Sequence, residues 1–338
     1  MSAQIVEVIE KRDKYSKTYK IGDSKYKKEV FSYPIHYLDE NGVWQEIDTK
    51  IVPQKKWEFT DAVTKNVYKA YFSDTTNQNI HLVGFEYIHD GVSRWVNFKL
   101  KDANPSDNIA DDDRYVFIEC FPNVDVEYIV VNDRLKENII LKDATDRREF
   151  IFTLKMDGFN VVQEEDGSIV FRSTDTDKVV STLDRPYMRN ANGEISYGVS
   201  YELGNDGLFD TLTIVVSDEE FLSNSSYPIV IDPSVIIVDG SGAQMYRSDG
   251  RHTDELMGAR NYDSALYYNA IKELTSLINS VVLIDFYMDV YIVSTYNTTN
   301  YGINIYTINS PWEHGQAPSS DGQVLIKSIP AATPKDTW

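Results

Sequence analysis

Residues 149–173 read EFIFTLKMDGFNVVQEEDGSIVFRS, and their reading decides the fold class. Apolar and polar residues alternate with period 2, the spacing of a β-strand with one buried face. Asp157-Gly158 and Asp166-Gly167 punctuate the alternation, and such pairs are turn signals. The same grammar extends in both directions. Residues 123–141 (NVDVEYIVVNDRLKENIIL), 184–203 (turning at Asn192-Gly193) and 210–217 (DTLTIVVS) follow it towards the C-terminus. Upstream, residues 84–100 turn at Asp90-Gly91, with Phe85, Tyr87 and Trp95 as bulky β-formers. In residues 30–52, Ile35, Tyr37, Val43, Gln45 and Ile47 alternate around Asn41-Gly42, which suits a two-residue type I′ turn. Short strands at this spacing define an all-β chain of antiparallel sandwiches or barrels.

Helical signals are few. Ser217 and Glu220 have capping-box spacing, enough for one short turn. Ile271, Leu274, Leu277 and Ile278 fit a helix over 269–279, or equally a loop with buried apolar contacts. The polar, acidic stretch 102–114 carries no strand pattern and reads as a loop or linker. A second boundary falls at YPIVIDPSV, 227–235, ahead of the Gly/Ser-rich DGSGAQ. The expected organisation is a basic N-terminal arm over 1–20, β-sandwich units over 21–110 and 111–235, and a partial jelly-roll-like domain over 236–338.

Composition removes several function classes. The 338 residues carry 33 Lys+Arg against 53 Asp+Glu, a net charge of −20, which argues against nucleic acid as partner. The basic residues that exist gather early: Lys11, Arg12, Lys14, Lys17, Lys20, Lys25, Lys27 and Lys28 read as a solvated terminus or as an arm for an acidic partner. One cysteine, Cys120, excludes an internal disulfide and a multi-thiolate metal site. The N-terminus shows no positive-then-apolar secretory pattern, and no window reaches 18 apolar residues, so no membrane span is expected. The closing PAATPKDTW breaks off in a Pro-rich stretch, as a truncated chain would.

Catalytic constellations are sparse. His36, His81, His89, His252 and His314 lack metal-site spacing, and Cys120 sits in the apolar strand pattern YVFIECFP as a small buried hydrophobe. Asp111, Asp112 and Asp113 offer oxygens to calcium without EF-hand spacing, and a solvated acidic loop explains them as well. These absences lead to the expectation of a non-enzymatic protein. Aromatic residues carry the binding signal: Tyr246, Tyr267, Tyr287, Tyr291 and Trp312 belong to a tyrosine-rich stretch after residue 245. Flat sugar faces stack on such rings, and these five form the candidate carbohydrate-binding set. The competing reading is that tyrosine simply fills strand edges.

Four motifs in one order carry a family resemblance: YPIHYLDENGVWQEIDTKI, NVDVEYIVVNDRLKENIIL, RPYMRNANGEIS and LTIVVSDEEFLSNSSYPIVIDPSV. Over about residues 15–235 the chain resembles the N-terminal region of bacterial wall-associated, Rhs (YD-repeat) type surface proteins. Over 236–338, DSALYYNA, NSVVLIDFYMDVYIV and YGINIYTINSPWE look like the start of a DNRLRE-type domain, similar to jelly-roll carbohydrate-binding modules. Asn279-Ser280 stands where that domain usually has an arginine, and the name-giving string is absent. The resemblance implies a structural and adhesive module of a large surface protein, with glycan binding in the last third and calcium as the one cofactor to consider. Its partners would be wall or extracellular polysaccharide, the rest of a larger polypeptide or neighbouring subunits, at the cell surface or outside the cell. The alternative is a scaffold or shell subunit of a phage-tail-like, contractile-injection or toxin-delivery particle.

Overall fold

A computed structural model describes residues 5–23, 25–31, 33–76, 80–89, 91–233, 235–237, 244–247, 252–253, 264–267, 303–307 and 324–329. Met1–Asp239 form one compact unit and Gly240–Trp338 a second. The chain is all-β, as its alternation implies; among the described residues the one α-helix is Glu219–Asn224.

Two large sheets dominate the first unit. An eight-stranded antiparallel sheet runs in the order Val199–Asn205, Asp210–Val216, Glu149–Asp157, Val92–Leu100, Val83–His89, Lys69–Phe72, Phe59–Val63, Val52–Lys56. The other, of eleven strands, is built on Asn108–Asp111, Arg114–Phe121, Val124–Val130, Arg134–Leu141, Val235–Ile237, Val179–Leu183, Ile169–Ser173 and Phe159–Gln163. Their inner faces share one apolar core. Phe72 stacks on Tyr115 with centroids 4.8 Å apart, Phe121 meets Phe150 at 5.9 Å, and Phe98 meets Phe171 edge-on at 6.5 Å. These rings come from strands of opposite sheets, and each is at most 5% exposed. Fully burying such side chains contributes about 1.5–3 kcal/mol apiece, the main favourable term in the fold.

The strands on either side of residue 110 share a sheet. Val92–Leu100 pairs with Glu149–Asp157 from Trp95↔Asp157 to Leu100↔Phe152, so the line expected between two successive sandwiches runs through a continuous ladder. Stretch 102–114 also contains a strand, Asn108–Asp111, paired with Arg114–Phe117. It shows no alternation because it lies at a sheet edge and is mostly exposed. Ile229–Asp232 and Val235–Ile237 keep one register along Arg134–Leu141, interrupted around Pro233, which has no N–H to donate.

Four of the glycine turns fall into two kinds. At Gly42, Gly167 and Gly193 the glycine N–H returns to the carbonyl three residues back, and the residue at that position donates to the carbonyl four residues on. Only the glycine of each pair has positive φ (73°, 91° and 83°), so these are three-residue loops ending in a left-handed glycine, not the type I′ turn expected at Asn41-Gly42. The Asp39 carboxylate fixes the first by accepting the N–H groups of Asn41 and Val43, each at 2.9 Å. Gly158 (φ 76°) instead marks a corner: Glu149–Asp157 belongs to one large sheet and Phe159–Gln163 to the other. A Cβ at Gly158 would stand 2.8 Å from Arg94 Cγ. Arg94 itself ties the sheets together, donating to both oxygens of Asp175 at 2.6 and 2.8 Å. That pairing, led by the Arg94 hydrogen bond, holds the Asp175 carboxyl down at about 2.

The helix Glu219–Asn224 confirms the short turn expected near Ser217, but its cap is Asp218, whose carboxylate accepts from Phe221 N at 2.9 Å. Ser217 is occupied in pairing with Gly198. Residues 5–48 form a three-stranded sheet (Val6–Glu7, Ser16–Lys20, Tyr26–Val30) and a hairpin (His36–Leu38, Trp44–Glu46). The expected basic arm over 1–20 is thus part of a folded sheet, because Ser16–Lys20 pairs with Tyr26–Val30 beyond its boundary.

In the second unit, Gln244–Arg247 pairs with His252–Thr253 and Ser264–Tyr267, and Ile303–Thr307 pairs with Val324–Ile329. The helix expected over 269–279 and the VVLIDFYMDVYIV strand lie outside the described residues.

Candidate functional site

The most developed polar-aromatic cluster lies on the outer face of the eight-stranded sheet. Three strands build its floor: Tyr71 is aligned with Gly84 and Lys69 with Glu86, while Trp95 is aligned with Glu86 from the other side. Period 2 then puts Tyr71, Glu86 and Trp95 on the face opposite the core residues Phe72, Phe85 and Val96. The hairpin Val52–Lys56 to Phe59–Val63 folds down over this floor. Its fit requires Gly84, since a Cβ there would stand 2.8 Å from the Phe59 ring. Phe59 stacks on Tyr71 at 5.9 Å, and both are buried.

Trp57 sits at the tip of that hairpin with φ 55°. A bulky residue in the left-handed region is rare and costs about 1–2 kcal/mol, which is why glycine is usual there. The conformation turns the indole back over the sheet, 5.3 Å from Trp95 and 6.3 Å from Tyr71, while 49% of it stays exposed. Lys56 Nζ lies 4.6 Å from the ring centroids of both Trp57 and Tyr71. It donates to Glu86 Oε2 at 2.7 Å and to the Tyr71 hydroxyl at 3.0 Å. Tyr71 donates in turn to Glu86 Oε2 at 2.6 Å, and Ser93 to Oε1 at 2.6 Å. Glu86 is only 6% exposed. Burial pushes its carboxyl up, but the bonds from Lys56, Ser93 and Tyr71 outweigh that and keep it below the ordinary range. Burial, then the bond to Glu86, raises the Tyr71 phenol far above its usual value. An aromatic enclosure with one ionised carboxylate at its base is chemically a cation site.

Other titratable groups are used structurally. Glu137 faces the core, accepts from Tyr128 at 2.8 Å and is raised by burial to about 8. His36 is fully buried: Nδ1 lies 2.7 Å from the Asp13 carbonyl, and Nε2 has no hydrogen-bond partner. His81 is half-buried against Glu58 at 2.5 Å, not a free surface histidine. Cys120 is buried as its sequence context implies, and burial pushes its thiol up to about 12. A cleft of about 640 Å³ is lined by Phe121, Asn123, Thr145, Arg147 and Arg148. Its cations are engaged: Arg147 lies 3.6 Å over the Phe121 ring, and Arg148 holds Glu219 at 2.7 and 2.8 Å.

Of the sequence-derived carbohydrate set, Tyr246 and Tyr267 fall in neighbouring strands, Tyr246 aligned with Ala265 and Tyr267 with Gln244. Tyr287, Tyr291 and Trp312 lie outside the described residues. Asp112 and Asp113 form the turn of the Asn108–Phe121 hairpin, and their carbonyls accept from Ile51 and Val130. Among the described residues no group of three His, Cys, Asp or Glu side chains is placed to hold a metal ion. Trp57 escaped the sequence reading because its turn position and its distance from Trp95 depend on pairing between separate strands.

No family model matches the chain, and no solved structure matches it. Curated relatives do. The chain is 26% identical to the tRNA3(Ser)-specific nuclease WapA of Bacillus spizizenii over 92% of its own length. It is 29% identical to the tRNA nuclease WapA of Bacillus subtilis over 68% of its length. A wall-associated protein of Geobacillus stearothermophilus is 24% identical over 55% of this chain and 75% of that protein. The chain spans 14% and 10% of the length of the two nucleases. It is therefore a homologue of a region found in wall-associated proteins, which points to a cell-surface context. Among the described residues no helix is long and apolar enough to cross a membrane. The nuclease relatives overturn the expectation of a non-enzymatic structural or adhesive module and of a particle scaffold. Absence of a catalytic motif within one stretch could not reveal an activity named for proteins many times longer.

Proposed function

We propose that this chain works as part of a wall-associated tRNA nuclease. The supporting observation is similarity to a tRNA-specific nuclease along 92% of the chain. The −20 net charge argues against tRNA held across this stretch as a whole, and it leaves the substrate of a longer protein open. The test is to express the complete reading frame containing these residues and follow the cellular tRNA pool by sequencing. Loss of one or a few tRNA species is expected; an intact pool, with the protein shown to be folded, overturns the assignment.

Finer parts of the reading belong with it as proposals. The Rhs (YD-repeat) assignment is checked by YD repeats in the same reading frame. For residues 236–338, the DNRLRE-type fold, the carbohydrate set Tyr246, Tyr267, Tyr287, Tyr291 and Trp312, and a bound calcium are checked together. A wall-polysaccharide pull-down with and without chelator serves all three, and no retention in either condition removes the sugar set.

A further inference from the structure

We propose that Trp57, Tyr71, Trp95 and Glu86 form a receptor for a primary alkylammonium group, with Lys56 as its tethered occupant. The inference is independent of the nuclease reading. It starts from an ammonium already in place: Lys56 Nζ lies between two aromatic faces at 4.6 Å each and bonds to Glu86 at 2.7 Å and Tyr71 at 3.0 Å. Cation–π attraction and a desolvated carboxylate are the two elements that recognise ammonium ions. Glu86 accepts from Ser93 and Tyr71 as well as from Lys56, so its carboxylate is held in place by the sheet and not by Lys56 alone.

Three features distinguish this arrangement from a simple structural clamp. First, the occupant is the last residue of the outermost strand, Val52–Lys56, whose first four residues are exposed. Second, the enclosure opens to solvent through Trp57, which is 49% exposed. Third, Trp57 holds the left-handed conformation at φ 55°, where glycine would be free of strain; strain of this kind collects at ligand sites. The strain gains nothing for the core, because Trp57 is not among its residues. A lysine side chain from another protein or an amine on a polymer presents the same group as Lys56. Either must compete with a tethered ammonium whose effective concentration is on the order of millimolar or higher.

The experiment is a fluorescence titration of the full chain with n-butylammonium, in the wild type and in Lys56→Ala. Vacating the enclosure should make binding saturable, with a half-saturation at least about tenfold below that of the wild type. Adding Glu86→Gln to the Lys56→Ala chain should abolish the response, because the amide keeps the shape and loses the charge. The neutral isostere n-butanol should give no saturable signal. The proposal falls if Lys56→Ala shows no saturable change, if Glu86→Gln leaves it intact, or if n-butanol matches the amine. Adding Trp57→Phe must reduce the signal; an unchanged signal would place the ligand at another tryptophan and also defeats it. Lys56→Met, which keeps the stem, repeats the measurement should the alanine chain fold poorly, and wild type at high amine concentration must approach the same spectral end point.

Discussion

Residues 5–48 and residues 51–237 are both antiparallel β-structure, yet they are held together by different forces. The second stretch encloses the apolar core, which begins at Ile51 and runs to Val235. Among the described residues the first contributes nothing to that core, and apart from Pro34 its buried side chains are polar: Ser16, Thr18 and His36. Its order rests on strand ladders and on ion pairs, with Arg12 holding Glu7 at 2.8 Å, Lys17 holding Glu46 at 2.7 Å and Lys28 holding Asp13 at 2.9 Å. Apolar residues are present but turned outward, among them Val6, Ile9, Tyr26, Leu38 and Val43, each 49% exposed or more. Alternation alone therefore says that a segment is a strand; it does not say that the strand has a core to bury.

The largest expected effect breaks the comparison in the sandwich. Phe72 is fully buried and stacks on Tyr115 across the two sheets. Phe72→Ala should cost about 3–5 kcal/mol in urea unfolding. Amide exchange in residues 5–48 should change much less than exchange in 83–100 and 114–141. Equal loss of protection in both regions would show that they unfold as one.

Next comes a contrast in pH dependence. Glu137, in the core, has a folded-state value of about 8, above its unfolded value of 4.5. Between those values the folded state binds the extra proton, so sandwich stability falls as pH rises from about 5 to 8. Glu137→Gln should flatten that slope and raise stability at pH 8 by roughly 3 kcal/mol, somewhat less than the full shift implies because buried sites relax. His36 works in the opposite direction. Burial lowers its folded value below 6.5, so the N-terminal sheet loses stability as pH falls through the unfolded value. Arg12 and Lys17 lie near it and oppose protonation. Amide exchange of residues 16–30 at pH 7 and pH 5 checks this: His36→Gln should remove the difference, and an unchanged difference places the titration elsewhere.

The smallest effect sharpens the comparison at one turn. Gly42 has φ 73° in the N-terminal hairpin, with no neighbour near where a Cβ would stand. Gly42→Ala should cost about 1 kcal/mol from backbone strain alone and be confined to the exchange of residues 36–46. A core-wide change would contradict the separation of the two regions.

Much of the strand inventory was legible because alternation and glycine turns are local properties. The edge strand Asn108–Asp111 was not, since exposure on both faces erases the alternation. The turn at Asp157-Gly158 was legible as a turn but not as a corner between sheets, because that depends on partners far along the chain. The charge run at 11–28 was visible, while its neutralisation by Glu7, Asp13, Glu29 and Glu46 required the fold. The ammonium enclosure was hidden most completely: Lys56, Tyr71, Glu86 and Trp95 lie on four different strands.

By itself the sequence determined that the chain is all-β, that Cys120 is buried, and that the pairs at Gly42, Gly158, Gly167 and Gly193 mark turns. Each follows from a residue and its immediate neighbours. Only tertiary structure decided that residues on both sides of 110 share a sheet and that Trp57 lies over Trp95. It also decided that Glu137 is a core carboxyl and that the N-terminal strands rest on charge. Register and strand order set these outcomes, and they are fixed by which distant faces exclude water together.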